Sequence, residues 1–142
     1  MNDEIYHAEV KRLAQAATGA GRLAPPKSSA TLDNPLCGDR ATIDLELKAG
    51  TIARLSHEVK GCLMCRAAAA ILGVRAPGAS LAQARQAVID LRALLKDGRA
   101  IPPEGWAELA VFTPLGAHKS RHDCALLPFD ALVQALDAAG KS

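Results

Sequence analysis

Residues 39–62 read DRATIDLELKAGTIARLSHEVKGC, and the fold class can be predicted from them. Its first part alternates three aliphatic side chains with charged ones, which predicts a strand with one apolar face and a solvated back (Ile43, Leu45 and Leu47 against Asp44, Glu46 and Lys48). Residues 48–51 can turn the chain, and residues 52–60 then return as the hairpin partner. The stretch therefore predicts an antiparallel hairpin that ends at Gly61 and Cys62.

Helical periodicity dominates most of the remaining chain. Upstream of the hairpin we expect a helix that ends near Gly19, a loop over residues 22–29 and a short edge strand at 31–32. Downstream, the predicted helices cover residues 63–74, 81–97, 104–111 and 124–139. Pro128 costs about 3 kcal/mol or more inside a helix, so the last helix either begins close to it or is kinked there. These elements predict an α+β fold, in which a three-stranded antiparallel sheet has its apolar face covered by the helices at 63–74, 81–97 and 124–139.

Composition limits the class of protein. A chain of 142 residues is expected to form one domain, residues 1–142, with a core large enough to need no disulfides. The net charge of +2 and the 3% aromatic content disfavour a nucleic-acid surface. No apolar run has the length of a membrane span, and the first residues lack the apolar core of a signal peptide. We therefore expect a cytoplasmic protein whose cysteines are ligands or catalytic thiols rather than structural bridges.

Four cysteines carry the most information about chemistry. Cys37 lies two residues before Asp39, Cys62 and Cys65 form a C-x-x-C pair, and Cys124 stands far downstream. Thiolates are soft ligands that select zinc, copper(I) or iron–sulfur units, and the carboxylate of Asp39 adds a harder, weaker ligand. We expect Cys62 and Cys124 each to open a helix, where the helix dipole favours the thiolate. Three separated thiols and one aspartate therefore predict a metal or cluster site that the fold assembles.

The residues around these cysteines resemble a known family. Three pieces are similar, in this order, to the iron–sulfur cluster assembly scaffold proteins IscU, SufU and the N-terminal part of NifU: Asn34-Pro-Leu-Cys-Gly-Asp39, Gly61-Cys62 before a helix of small residues, and Arg121-x-x-Cys124-Ala-Leu-Leu. The long gap between Cys62 and Cys124, and an arginine three residues before Cys124, look more like the SufU branch. The IscU branch has histidine immediately before its last cysteine, where this chain has Asp123.

The resemblance implies a scaffold or sulfurtransferase rather than a conventional enzyme. Family members take persulfide sulfur from a cysteine desulfurase, assemble a [2Fe-2S] or [4Fe-4S] cluster and pass it to apo-proteins. SufU-type members instead hold Zn2+ and accept sulfur from the desulfurase. Carried onto this chain, the resemblance makes Cys37, Asp39, Cys62 and Cys124 the ligands. It also makes Cys124 the persulfide acceptor and gives Arg121 an assisting charge.

Two other functions are compatible with the same residues. The first is a small domain whose zinc is purely structural and whose role is to bind a partner. The second is a thiol oxidoreductase that uses Cys62 and Cys65, although the predicted hairpin is not the βαβ context expected for that class. Cys65 itself is either a fourth thiolate or redox thiol, or a small residue buried against the sheet.

The histidines have their own alternatives. His57 lies among apolar residues of its strand, which favours a buried, hydrogen-bonded histidine over a metal ligand. His118 and His122 are expected to be solvated in a loop on either side of Arg121. In that loop, His122 or Asp123 could approach the metal as an alternative fourth ligand.

Overall fold

The computed structural model of the chain describes residues 3–23, 28–35 and 38–140. Strands and helices follow one another as α1 (Asp3–Ala16), β1 (Ser28–Asn34), β2 (Asp39–Lys48), β3 (Thr51–Lys60), α2 (Leu63–Arg75), α3 (Leu81–Asp97), a 3₁₀ helix (Ala107–Ala117) and α4 (Lys119–Gly140). The three strands form one antiparallel sheet in the order β1-β2-β3. The predicted α+β class, with a three-stranded antiparallel sheet and several helices, is confirmed.

The β2–β3 hairpin forms where the sequence predicts it. Lys48 pairs with Thr51, so Ala49 and Gly50 are the two turn residues, and both have positive φ (52° and 78°). Two-residue turns of this kind match the right-handed twist of the strands that they join. From this turn the pairing continues, with one register shift between Glu46 and Leu47, to Arg40 opposite Lys60, so the start of β2 lies level with the end of β3.

The back of the hairpin is not solvated as the alternation predicts. Asp44 is completely buried, and its partner across the strands, Ser56, is buried as well. After α1 the backbone of Gly19 and Gly21 hydrogen-bonds to His57 at the edge of β3, and the next residues then reach this face, where the Arg22 guanidinium pairs with Asp44. A loop folded back over the sheet leaves no hydrophobic period in the sequence, so the alternation alone could not predict it.

The helices cover the sheet in a different arrangement from the predicted one. Helix α4 lies over β1 and β2, and α2 lies mainly over β3, as expected. Helix α3 instead packs on α4 and on the 3₁₀ helix, and only its amino end reaches the hairpin turn, where Leu81 N–H donates to the Gly50 carbonyl at 3.3 Å. The physical reason is that α4 is buried on more than one side, with Ala125, Phe129 and Leu132 all inaccessible. It therefore serves as a middle layer between the sheet and α3.

Three predicted boundaries are wrong. Strand β1 runs from Ser28 to Asn34, longer than the two residues expected, and part of the predicted loop at 22–29 lies outside the described residues. The segment expected as a short helix at 104–111 is a 3₁₀ helix over Ala107–Ala117. Helix α4 begins at Lys119, so Pro128 lies inside it. The polar residues 119–123 carry no apolar stripe, which is why the periodicity missed the first turn of α4.

A close helix contact fixes α1 against α2. A Cβ on Gly73 would lie 1.8 Å from the carbonyl oxygen of Thr18, so only glycine allows this approach. The alanines at 67–70 in α2 are fully buried and keep that helix close to its neighbours. Within the described part of the chain, no helix is both long enough and apolar enough to cross a membrane.

Candidate metal centre

Three of the four predicted ligands meet at one end of the sheet. One ligand atom each from Asp39, Cys62 and Cys124 lies within 4.8 Å of the other two. Asp39 is the first residue of β2, Cys62 stands between β3 and α2, and Cys124 lies in the second turn of α4. These three residues, here called the triad, are the one such group of histidine, cysteine or acidic residues among the residues that the structure describes.

Asp39 is a buried carboxylate with an unused oxygen. Its side chain is part of a residue only 5% exposed, and its Oδ1 accepts a hydrogen bond from the Cys62 N–H at 3.3 Å. Its Oδ2 is buried and has no hydrogen-bond partner among the described residues. A buried acceptor without a partner is costly, because the water that it loses on folding is not replaced. The arrangement is typical of a carboxylate whose second oxygen binds a cation.

Gly61 makes the position of this carboxylate possible. A Cβ on Gly61 would lie 2.9 Å from Asp39 Cγ and 3.1 Å from each carboxylate oxygen. Any larger residue would therefore push the carboxylate away from the backbone of Cys62. Gly38 has a different role, because its φ is +77° and nothing lies near its missing side chain. The motif thus needs Gly61 for space and Gly38 for backbone conformation.

Cys62 stands at the amino end of α2, as predicted. It is the N-cap residue with an extended backbone (φ −70°, ψ 172°), and its side chain makes no capping hydrogen bond. Its side chain is half-buried.

Cys124 does not open a helix, which corrects the prediction. Helix α4 begins five residues earlier, at Lys119, so the effect of a helix end on this thiol is weaker than expected. Cys124 is 5% exposed and is the more deeply buried of the two triad thiols. Arg121 is exposed one turn before it, and none of the hydrogen bonds of the described residues joins its guanidinium to the triad.

Cys37 lies outside the described residues. The chain on both sides of it is fixed, because Asn34 and Asp39 are partners in the β1–β2 register and Gly38 N–H donates to the Asn34 carbonyl at 2.8 Å. The structure therefore shows the convergence of Asp39, Cys62 and Cys124, and that of Cys37 stays a prediction.

The remaining predicted candidates are separate from the triad. Cys65 is completely buried in the hydrophobic core, as expected for a small packed residue rather than a ligand. His57 is buried, and its Nε2 lies 2.8 Å from the Thr18 carbonyl oxygen, so the expected hydrogen-bonded histidine is confirmed. Burial lowers the pKa of His57, and the hydrogen bond to Thr18 opposes this shift only in part.

His122 was expected in a solvated loop, and this prediction is wrong. It lies in α4 and is 2% exposed, with Nε2 at 2.9 Å from the Leu115 carbonyl oxygen and 3.2 Å from that of Gly116. It therefore links the end of the 3₁₀ helix to α4. His118 is exposed, as expected, and Asp123 is exposed beside α4. Neither His122 nor Asp123 joins the triad as a fourth ligand.

The donor set fits a metal ion. Two thiols and one carboxylate are ligands that zinc and iron accept. In a tetrahedral zinc site with Zn–S distances of about 2.3 Å, neighbouring ligand atoms lie about 3.8 Å apart. The triad atoms, which lie within 4.8 Å of one another, need to approach by about an ångström at most to hold one ion.

Comparisons with known proteins bear on the family and the fold. The family model described as the NifU-like N terminal domain matches residues 5–138. A NifU-like N-terminal protein from Brucella abortus superposes with a TM-score of 0.93 at 28% identity, over 99% of this chain and 97% of that one. No curated protein gives a significant sequence match.

Two further solved structures share the fold at lower identity. One is described as a putative iron-sulfur cluster assembly scaffold protein for the SUF system, from Fervidobacterium islandicum AW-1; its TM-score is 0.84 at 18% identity, over 90% of this chain and 93% of that one. The other, described only as a hypothetical protein, has a TM-score of 0.79 at 20% identity, over 96% and 99% of the two chains.

Proposed function

Because this chain belongs to the NifU-like N-terminal domain family, a family of iron–sulfur cluster assembly scaffolds, we propose that it receives sulfur from a cysteine desulfurase. It then passes that sulfur, or a cluster built from it, to apo-proteins. The observation that carries the proposal is the triad, in which two thiols and a buried carboxylate with an unused oxygen converge. Since the chemistry needs reduced thiols, the protein works in a reducing compartment such as the cytoplasm.

A site with both thiolate and carboxylate ligands suits a metal ion or cluster that is bound only temporarily. A closed site of four thiolates retains its metal, whereas a carboxylate is a weaker partner for a soft ion. Cys37, Asp39, Cys62 and Cys124 would hold the ion or cluster, which is zinc in a sulfur acceptor and a [2Fe-2S] or [4Fe-4S] unit in a scaffold. The half-buried position of Cys62 supports exchange, because the site is open to solvent on that side.

Sulfur transfer would proceed by thiol–persulfide exchange. The acceptor thiolate attacks the outer sulfur of the desulfurase persulfide, the sulfur–sulfur bond breaks, and the desulfurase cysteine leaves as a thiolate. The family motif assigns the acceptor role to Cys124, with Arg121 assisting by its charge. Cys62 is the second candidate, because it is more exposed than Cys124 and a donor persulfide can therefore reach its thiol more easily.

Metal and acid-labile sulfide analysis of protein purified without oxygen tests the proposal. Zinc alone would identify a zinc-dependent sulfur acceptor, and iron with sulfide would identify a cluster scaffold. Asp39→Ala, Cys62→Ser and Cys124→Ser should each lose metal or cluster. Cys65→Ala, a change of a buried cysteine outside the triad, is the matched control and should keep it. Wild-type protein that binds neither metal nor cluster would refute the proposal.

Persulfide mapping separates the two acceptor candidates. After incubation with a cysteine desulfurase and cysteine, mass spectrometry should find one added sulfur on Cys124 in the wild type. Cys124→Ser should abolish the label, whereas a label that persists there and disappears in Cys62→Ser would move the role to Cys62. A purely structural zinc site is also distinguished, because its removal by a chelator would unfold the protein.

A further inference from the structure

A cleft outside the triad is lined by apolar side chains and by nitrogen-bearing ones. It has a volume of about 360 Å³ and lies between α1, the first turn of α2, the 3₁₀ helix and the start of α4. Val10, Met64 and Val111 belong to its apolar wall. Its polar side chains are His7, His118 and Arg121, all exposed to solvent, and none of its described lining residues carries a carboxylate.

The charge of this cleft is not neutralised by the described side chains. Each of the seven ion pairs found among them uses another arginine, and Arg121 takes part in none. The amino end of α4, at Lys119, adds partial positive charge beside His118. An imidazole donates a hydrogen bond in its neutral and its charged form, and a guanidinium can bind a carboxylate with two parallel hydrogen bonds. The polar lining is therefore suited to an anionic group.

We propose that this cleft binds an acidic peptide segment of a partner protein, with an apolar side chain in the cleft and carboxylates on the three nitrogen-bearing residues. Charge complementarity supports this occupant, because the described lining residues offer donors and a cation but no acceptor carboxylate. The volume accommodates one or two aliphatic side chains, at the lower end of the range for small-molecule pockets of about 300–1,000 Å³. Since the three polar residues are exposed, a chain can enter and leave along the rim.

The position of the cleft links it to the triad. Met64 lies two residues after Cys62 on the first turn of α2, and Arg121 lies one turn before Cys124 on α4. A bound segment would therefore contact both helices that carry the triad thiols. The assignment of this segment to a sulfur donor or a client protein rests on the proposed function, but binding of the peptide itself requires no metal.

Titration of the ¹⁵N-labelled full chain with short synthetic peptides tests the inference by nuclear magnetic resonance. The probes are a peptide of alternating leucine and glutamate, the same peptide with lysine in place of glutamate, and octanoate. The acidic peptide should shift the amide signals of residues that line the cleft and bind at least about tenfold more tightly than the lysine peptide, because hydrogen bonds to charged groups dominate the difference. Octanoate, which lacks the peptide chain, should bind at least about tenfold more weakly.

Two arginine variants of equal charge change provide the matched comparison. Arg121→Glu should weaken binding of the acidic peptide by about tenfold or more. Arg99→Glu should leave the affinity within about twofold, because Arg99 is exposed, is outside the cleft and belongs to none of the described ion pairs. Cys62→Ser, which removes a triad thiol, should bind the peptide as the wild type does.

Four results would overturn the inference: no binding of the acidic peptide at millimolar concentration, equal binding of the lysine peptide, equal loss in both arginine variants, or octanoate binding as tightly as the peptide. Failure of the proposed function is seen separately, as absence of metal, cluster and persulfide from the wild type. A chain that carries metal and persulfide yet binds no acidic peptide would contradict only the role of the cleft.

Discussion

Asp39 and Asp44 lie on the same strand and are both buried, but their surroundings differ. Asp44 receives hydrogen bonds from Arg22 Nε at 2.6 Å, Ser29 Oγ at 2.7 Å and Leu23 N–H at 3.1 Å, and both of its oxygens are used. Asp39 receives one bond, at 3.3 Å from the Cys62 N–H, and its Oδ2 has none among the described residues. Asp44, whose two oxygens are both hydrogen-bonded by the protein, stabilises the fold. Asp39, whose Oδ2 has no hydrogen-bond partner among the described residues, indicates a binding site.

The difference is also electrostatic. Burial alone would raise the pKa of Asp44, but the hydrogen bonds from Arg22, Ser29 and Leu23 outweigh it and lower the pKa below its ordinary value. The Arg22 guanidinium, in turn, has its pKa raised by Asp44. Asp39 has no arginine partner in the described residues; its neighbours are a glycine and two thiols. The positive charge that it lacks is the one that a bound metal would supply.

Removing the charge of Asp44 is expected to have the largest effect on stability. Asp44→Asn should lower the free energy of unfolding by about 2–4 kcal/mol, because three donors, one of them charged, lose a carboxylate acceptor. Urea denaturation measures the change. Asp97→Asn, at the exposed end of α3, is the control and should change stability by no more than about 0.5 kcal/mol. An Asp44 variant as stable as this control would show that its bonds contribute nothing.

Asp39→Asn should change stability little and metal affinity strongly. We expect the metal-free protein to lose less than about 1 kcal/mol, since only one long hydrogen bond is affected. Metal affinity should fall by about a hundredfold or more, because the substitution removes a ligand charge rather than an outer partner. Competition with a chromophoric chelator measures the affinity. Unchanged metal binding together with a large loss of stability would make Asp39 a structural residue like Asp44.

Gly61→Ala tests the space that the Asp39 carboxylate occupies. The added Cβ would approach Asp39 Cγ to 2.9 Å, so the carboxylate must move. Metal affinity should fall by about tenfold, with a loss of about 1–2 kcal/mol in stability from overpacking. Gly98→Ala is the control, because it strains a positive φ of 68° in open space far along the chain, at the end of α3. It should reduce stability by a similar amount and leave metal affinity unchanged.

The smallest effect is expected from a change of pH. The pKa of His57 is lowered by burial, whereas that of Asp44 is lowered by its hydrogen bonds. Burial lowers the pKa of His57, so the unfolded chain takes up a proton near its ordinary pKa of about 6.5 while the native state does not. Stability should therefore be full above about pH 6.5 and decline as the pH falls below it. Urea midpoints at several pH values should show this slope in the wild type and a smaller slope in His57→Gln. Equal slopes would mean that His57 titrates alike in both states.

The sequence predicts the hairpin from a local strand period, and it predicts Asp39, Cys62 and Cys124, together with Cys37, as ligands from short motifs around each of them. Ile43, Leu45 and Leu47 set the strand period, and Gly61 with Cys62 marks the passage into α2. The motif spacing then indicates which distant residues share a site, and the structure places Asp39, Cys62 and Cys124 together. Membership of the scaffold family, expected from the same motifs, agrees with the family match.

What the sequence does not predict depends on tertiary contacts. Asp44 reads as a solvated residue, because nothing in the strand indicates that Arg22 and Leu23 fold over it. His122 was expected in a polar loop, but it lies in α4 and its side chain bonds to the Leu115 and Gly116 carbonyls of the 3₁₀ helix. No sequence motif indicates the cleft, because its lining residues come from four separate elements. Each of these features requires knowledge of which segments pack together.

The placement of α4 between the sheet and α3 has a consequence for how cargo of different sizes is held. Cys124 stands on a helix packed on both sides, so any shift of its sulfur beyond a side-chain rotation displaces two layers of the core. Cys62 is half-buried and stands at the start of α2, where a small backbone adjustment disturbs fewer neighbours. We therefore expect the Cys124 sulfur to keep its position when a single metal ion is replaced by a larger cluster. The Cys62 side of the site is expected to move instead.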